Sequence, residues 1–115
     1  QALAMVVIPF GLSGDQLLSG EAAQRCVRRL QLALIPTGAE QPTGLIMRLS
    51  NAVDGALLPD GLTLAARQGG HRQTISSDGS TELVLQFQGS AQLLDVSLRY
   101  GSGDAVALPS LQLPS

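Results

Sequence analysis

The strongest constraint on the fold of this chain is an alternation of apolar and polar residues that repeats every second position and is interrupted by glycine-containing turns. Residues 30–34 and 83–87 show it most clearly, because each segment carries Leu or Phe at every other position. A strand that buries one face has this period of two, whereas an amphipathic helix repeats its apolar positions every three or four residues. The pattern predicts half-buried strands, with these residues facing inward: Leu30, Leu32, Leu34, Leu45, Met47, Leu49, Leu62, Leu64, Ala66, Leu83, Leu85, Phe87, Leu94, Val96, Leu98 and Tyr100.

Turn residues set the predicted strand boundaries. Pro36, Gly38 and Pro42 predict that one strand ends at residue 35, because proline lacks the N–H that a strand donates. Asp78-Gly79 predicts a hairpin between the segments before and after it, and Gly89-Ser90 predicts a second one. The predicted extended segments are 3–10, 25–35, 45–50, 62–67, 72–76, 83–88, 94–100 and 106–113.

Only residues 15–24 favour a helical turn, with Ser19 as a possible N-cap and Glu21 in the first turn. Cys26 follows inside a predicted strand, where it is interpreted as a small buried hydrophobe. About seven or eight short strands in a chain of this length are typical of a β-sandwich. We therefore predict an all-β fold, a single mainly antiparallel β-sandwich spanning residues 1–115, with residues 3–10 and the segment bearing Pro109 as edge strands.

Composition excludes several classes of function. Seven cationic and nine acidic residues give a formal net charge of −2, which does not supply the basic surface that dominates nucleic-acid affinity, so we predict no nucleic-acid partner. The longest strongly apolar run, residues 2–10, contains a proline and falls far short of the ~20 residues that span a bilayer. The sequence therefore predicts no membrane-spanning helix.

Residues that carry catalytic or metal chemistry are scarce. His71 is the single histidine and Cys26 the single cysteine, so zinc sites built from several such residues are excluded. The scattered aspartates Asp54, Asp60, Asp78 and Asp104 each lie beside a glycine and are explained by turn chemistry rather than by calcium binding. We predict that the protein is not an enzyme, holds no metal and needs no cofactor.

The densest charge feature is the cluster of Arg25, Arg28 and Arg29. On an extended strand Arg28 would share the inward face with Leu30. Either the strand begins after Arg28, or Arg28 pairs with a buried acid. A functional interpretation makes the three arginines part of a docking surface for an acidic partner, and they are the predicted partner-binding residues.

Three features of the sequence carry a resemblance to a known family. All seven cationic residues are arginine, a bias typical of GC-rich genomes, and the chain starts at Gln1, a position that could follow a removed lipidated cysteine. Together with the extended segments VVIPFGL at 6–12 and LALIP at 32–36, this layout resembles that of small β-rich outer-membrane lipoproteins of Gram-negative bacteria, in particular the pilotins of type III secretion systems.

The resemblance implies a non-enzymatic periplasmic domain at the inner face of the outer membrane, held there by a lipid anchor that lies outside this chain. Its partner would be another envelope protein, the C-terminal segment of a secretin, which the domain would escort to the outer membrane. Binding would occur by insertion of a helix into a groove or by addition of a strand to an open edge. The alternative is a pilin-like or adhesin-associated structural subunit assembled by strand donation, with residues 2–10 as the detachable strand.

Overall fold

A computed structural model describes residues 5–38, 43–89, 93–108 and 111–112, and it shows an all-β sandwich of two antiparallel sheets. One short helix, α1 (Gly20–Gln24), interrupts the strands. The strands are β1 (Val6–Ser13), β2 (Gln16–Ser19), β3 (Arg28–Thr37), β4 (Gly44–Asn51), β5 (Leu62–Gln68), β6 (His71–Ser76), β7 (Glu82–Gln88), β8 (Leu93–Tyr100), β9 (Val106–Ala107) and β10 (Leu111–Gln112).

The first sheet has the strand order β2-β1-β3-β4-β7, and the second has the order β10-β8-β5-β6, with β9 also pairing with β8. The register aligns the apolar faces of neighbouring strands: Leu32 of β3 lies opposite Ile8 of β1 on one side and opposite Leu49 of β4 on the other. Because side chains alternate between the two faces of a strand, this register places one continuous apolar surface against the other sheet.

The predicted inward-facing residues are confirmed. All of them are buried except Tyr100, which is half-buried at the end of β8. Phe10 and Leu12 of β1 and Leu58 of a loop complete the core. The period-two pattern therefore identified the buried faces of β3, β4, β5, β7 and β8.

Both predicted hairpins around β7 are wrong. The Asp78-Gly79 turn does not pair β6 with β7, because β6 pairs with β5 in the second sheet while β7 pairs with β4 in the first. The connection after Gly89 likewise leads from β7 to β8 in the opposite sheet. In a sandwich both sheets bury one face against the same core, so alternation is satisfied whether the chain turns back or crosses over.

Proline does not end β3 where the sequence predicted. Pro36 lies within that strand, opposite Leu45 of β4. Pairing between β1 and β3 extends only as far as Leu34, so in the described part of the chain residues 35–37 have a strand neighbour on one side only. Such a half-edge position tolerates a residue that has no N–H.

The region before β3 also differs from the prediction. The predicted helical segment 15–24 divides into β2 and α1, with Ser19 at the N-cap position and Glu21 in the first turn, although the Ser19 side chain makes no capping hydrogen bond. Cys26 lies between α1 and β3 rather than inside a strand. The strand count exceeds the predicted seven or eight because β2, β9 and β10 are short segments with little alternation of their own.

The N-terminal strand is an edge strand over only part of its length. β2 pairs with Phe10–Ser13 of β1, which places that half inside the sheet. The preceding half, Val6 to Pro9, pairs with β3 alone among the described strands. Pro109, the other predicted edge position, lies outside the described residues, and β10 just after it is at the edge of the second sheet.

Candidate functional site

The three predicted arginines lie around two neighbouring clefts. Arg28 and Arg29 begin β3, and Arg25 is the C-cap of α1. The Leu57 cleft, of about 480 Å³, is lined by Val27, Arg28, Arg29, Leu30, Asn51, Ala52, Val53, Ala56, Leu57, Leu58 and Pro59. The Cys26 cleft, of about 540 Å³, is lined by Leu12, Ser13, Leu18, Ala22, Arg25, Cys26, Val27 and Arg28. Val27 and Arg28 line both clefts, and residues 26–29 form the ridge between them.

Exposed aliphatic side chains distinguish the Leu57 cleft. Val27 is 99% exposed, Val53 is 68% exposed and Leu57 is 62% exposed, and all three line this cleft. The aliphatic residues of the strands are mostly buried in the core, whereas these three aliphatic side chains are exposed around one cleft. Exposed apolar patches on soluble domains mark interaction sites.

Asn51 holds the loop that presents two of these side chains. Its Nδ2 donates a hydrogen bond to the Leu57 carbonyl at 3.1 Å, and its Oδ1 accepts one from the Val53 N–H at 2.9 Å. The Ala56 N–H donates to the Val53 carbonyl at 3.1 Å, which closes the turn between them. Leu58 then enters the core and anchors the end of the loop. The loop therefore presents Val53 and Leu57 from a hydrogen-bonded frame.

The other wall of the cleft is fixed by close packing of the ridge onto β1. The Cys26 thiol donates to the Ala22 carbonyl at 3.4 Å, and the Cys26 N–H donates to the Ala23 carbonyl at 3.2 Å. A Cβ atom placed on Gly11 would lie 2.7 Å from the Cys26 sulfur and 2.8 Å from the Ala23 carbonyl oxygen. Only glycine at position 11 lets the residues before Val27 pack this closely against the sheet.

Substituting Gly11 by alanine is expected to lower the free energy of unfolding by about 1–3 kcal/mol, because the added methyl group must displace Cys26 and the backbone of α1. Chemical denaturation followed by circular dichroism measures the change. Gly70→Ala is the matched control, since a Cβ at Gly70 meets no atom within 4 Å. Equal stability of the two variants would show that the ridge moves freely over β1.

The three arginines have no carboxylate partner within the described ranges. The ion pair that the structure shows there joins Arg67 to Asp95 on the second sheet, at 3.3 Å. Neither alternative predicted for Arg28 holds: β3 begins at Arg28 itself rather than after it, and the Arg28 side chain is exposed rather than paired with a buried acid. The acidic residue nearest to them in sequence, Glu21, is exposed.

His71 and the aspartates are the described residues whose side chains are most suited to metal binding or acid–base chemistry. His71 is exposed at the start of β6. Asp15, Asp60 and Asp104 line a third cleft, but Asp60 accepts a hydrogen bond from the Gly79 N–H at 2.9 Å. Among the described residues no three His, Cys, Asp or Glu side chains are grouped closely enough to hold a metal ion. No helix in these ranges is long and apolar enough to cross a membrane.

Comparison with known proteins identifies no relative: no protein-family model, no curated protein and no solved structure matches the chain.

Proposed function

We propose that this domain is a non-enzymatic protein-binding module, and that the Leu57 cleft with its ridge receives a partner segment carrying aliphatic and acidic side chains. The observation that carries the proposal is the combination of exposed Val27, Val53 and Leu57 with arginines that have no ion-pair partner in the described chain. The aliphatic groups offer apolar area to bury, and the arginines offer charge to a complementary segment.

The two kinds of residue have different roles in binding. Burial of exposed aliphatic side chains contributes roughly 25 cal/mol per Å² of apolar surface removed from water. Exposed charges contribute less to affinity but accelerate association with an oppositely charged partner and select against like-charged ones. The cleft volume of about 480 Å³ is large enough for a few side chains of a bound segment.

Within this proposal the partner is another envelope protein, of the secretin type that a pilotin escorts, and the domain works in the periplasm at the inner face of the outer membrane. The similarity to pilotins in layout and composition supports this setting. A lipid anchor outside this chain would hold the domain at the membrane and the cleft would hold the partner, so neither contact needs a catalytic group.

Site-specific photo-crosslinking in the bacterial host tests the proposal. A benzophenone amino acid introduced at Val27 or Leu57 should give adducts with the same envelope protein, because both side chains are exposed at one cleft. The control position is Thr74, which is exposed on β6 of the second sheet. Equal labelling from all three positions, or no adduct from the cleft positions, would refute a binding site here. An adduct with a protein other than a secretin would support the protein-binding site but refute the pilotin-type role.

The alternative function, a structural subunit assembled by strand donation, has one observation in its favour: the half of β1 from Val6 to Pro9 has no described strand on its outer side. The other half of the same strand contributes Phe10 and Leu12 to the core of its own sandwich. A donated strand would have to withdraw those side chains, so the stability of β1 discriminates between the two functions.

A further inference from the structure

The half of β1 from Val6 to Pro9 has one side on which no described strand pairs with it. β2 pairs with β1 only from Phe10 onward, and the residues from Val6 to Pro9 pair with β3 on their other side. Backbone N–H and C=O groups on such a strand side are ready to pair with an added strand. This surface, the β1 half-edge (residues 5–9, with Met5 just before the strand), lies at the end of β1 away from Leu12, which lines the Cys26 cleft.

The β1 half-edge carries little of the protection that strand edges usually have. Met5 is 55% exposed, Val6 is 53% exposed and Val7 is 46% exposed, and no ionisable side chain occurs between residues 5 and 12. Proteins normally protect such edges with charged residues or proline. Pro9 limits the half-edge on one side, but it leaves three consecutive exposed apolar residues before it.

Two other edge strands carry ionisable side chains. β6 at the edge of the second sheet carries exposed His71 and Arg72, and β7 at the edge of the first sheet carries exposed Glu82. When two identical strands pair antiparallel about a two-fold axis, the residues at the axis face their own equivalents, so a charge near the axis meets a like charge, which is destabilising. The β1 half-edge has no ionisable side chain, so no register of self-pairing brings like charges together within it.

We propose that two copies of this chain associate through antiparallel pairing of their β1 half-edges, which joins the two first sheets into one continuous sheet across a two-fold axis. The contact is short, because β2 occupies the same side of β1 from Phe10 onward. A short ladder that buries only Met5, Val6 and Val7 gives a weak dimer whose population rises with protein concentration. This inference does not depend on the proposed clefts.

Sedimentation velocity over a series of protein concentrations tests the pairing. The unmodified chain should shift from monomer toward dimer as concentration rises, and Val7→Lys should remain monomeric at every concentration because it places a like charge near the two-fold axis. Val84→Lys is the matched control: Val84 is an exposed valine in the same sheet, on β7, and that variant should dimerise normally. A chain that stays monomeric throughout, or a dimer that Val7→Lys leaves intact, would overturn the proposal.

A second measurement does not depend on a destabilising variant. In a Cys26→Ala background, Val7→Cys should form a disulfide-linked dimer under mild oxidation, whereas Val84→Cys should not, because antiparallel pairing brings positions near the axis within reach of each other. Cross-linking from position 84 but not from position 7 would assign the contact to another surface and refute the β1 pairing.

Discussion

Replacing Phe10 with alanine is expected to lower the free energy of unfolding by about 3–5 kcal/mol, the usual cost of removing a buried aromatic side chain. Phe10 is fully buried in the core, at the residue where β1 is paired with both β2 and β3. Because domains of this kind are stable by only about 5–15 kcal/mol, the loss would be visible as a large shift of the urea midpoint measured by circular dichroism.

The matched control is Val6→Ala on the same strand. Val6 is exposed, so that variant is expected to change stability by no more than about 0.5 kcal/mol. A large difference between the two variants would show that the monomer depends on its own β1. If Phe10→Ala instead cost less than about 1 kcal/mol, β1 would be weakly attached, and the strand-donation function would become the better account.

The buried faces of the strands could be predicted because they follow from local chemistry. In residues 45–49 and 62–66 every second side chain is apolar, and each of those side chains is buried. A period of two is a property of the extended backbone itself, so it holds whichever strand lies alongside. The all-β fold class follows from the same signal repeated along the chain.

Strand partners could not be predicted in the same way. The segment before Asp78-Gly79 and the segment after it are both extended, yet they belong to different sheets. The turn fixes a reversal of the chain direction, while the choice between pairing and crossing depends on the partner of each strand: β6 pairs with β5 just before it, and β7 pairs with β4, which lies far earlier in the sequence. Pairing is a non-local property, and a local pattern does not contain it.

The candidate site was predicted only in its charged part. Arg25, Arg28 and Arg29 are conspicuous in a chain with few charges, whereas Val27 and Leu57 have the same residue types as the core. Val27 also lies inside the predicted strand 25–35, where valine is a common residue and does not indicate a binding site. The signal that could have identified Leu57 is its place in a turn-rich segment with no alternation, where an aliphatic side chain has no strand face to bury it.

Reversing the charges of the ridge, by Arg28→Glu together with Arg29→Glu, is expected to weaken binding of an acidic partner segment at least about tenfold. Both side chains are exposed beside the cleft and have no ion-pair partner in the described chain. Their positive charge therefore attracts an acidic segment that approaches the cleft. The measurement is fluorescence anisotropy with a short labelled peptide of leucine and glutamate, and with its counterpart in which lysine replaces glutamate.

The control for net charge is Arg72→Glu together with Arg99→Glu, which changes the same number of exposed arginines on the second sheet. That variant should keep most of the affinity for the acidic peptide, and binding by the unmodified chain should weaken as salt rises, since salt screens exposed charges. The lysine peptide should bind the unmodified chain weakly and the ridge variant better.

If both double variants lose affinity equally, the effect comes from overall charge, and the ridge has no particular role. If the two peptides bind the unmodified chain equally well, apolar contacts with Val27 and Leu57 alone determine recognition, and the partner segment need not be acidic.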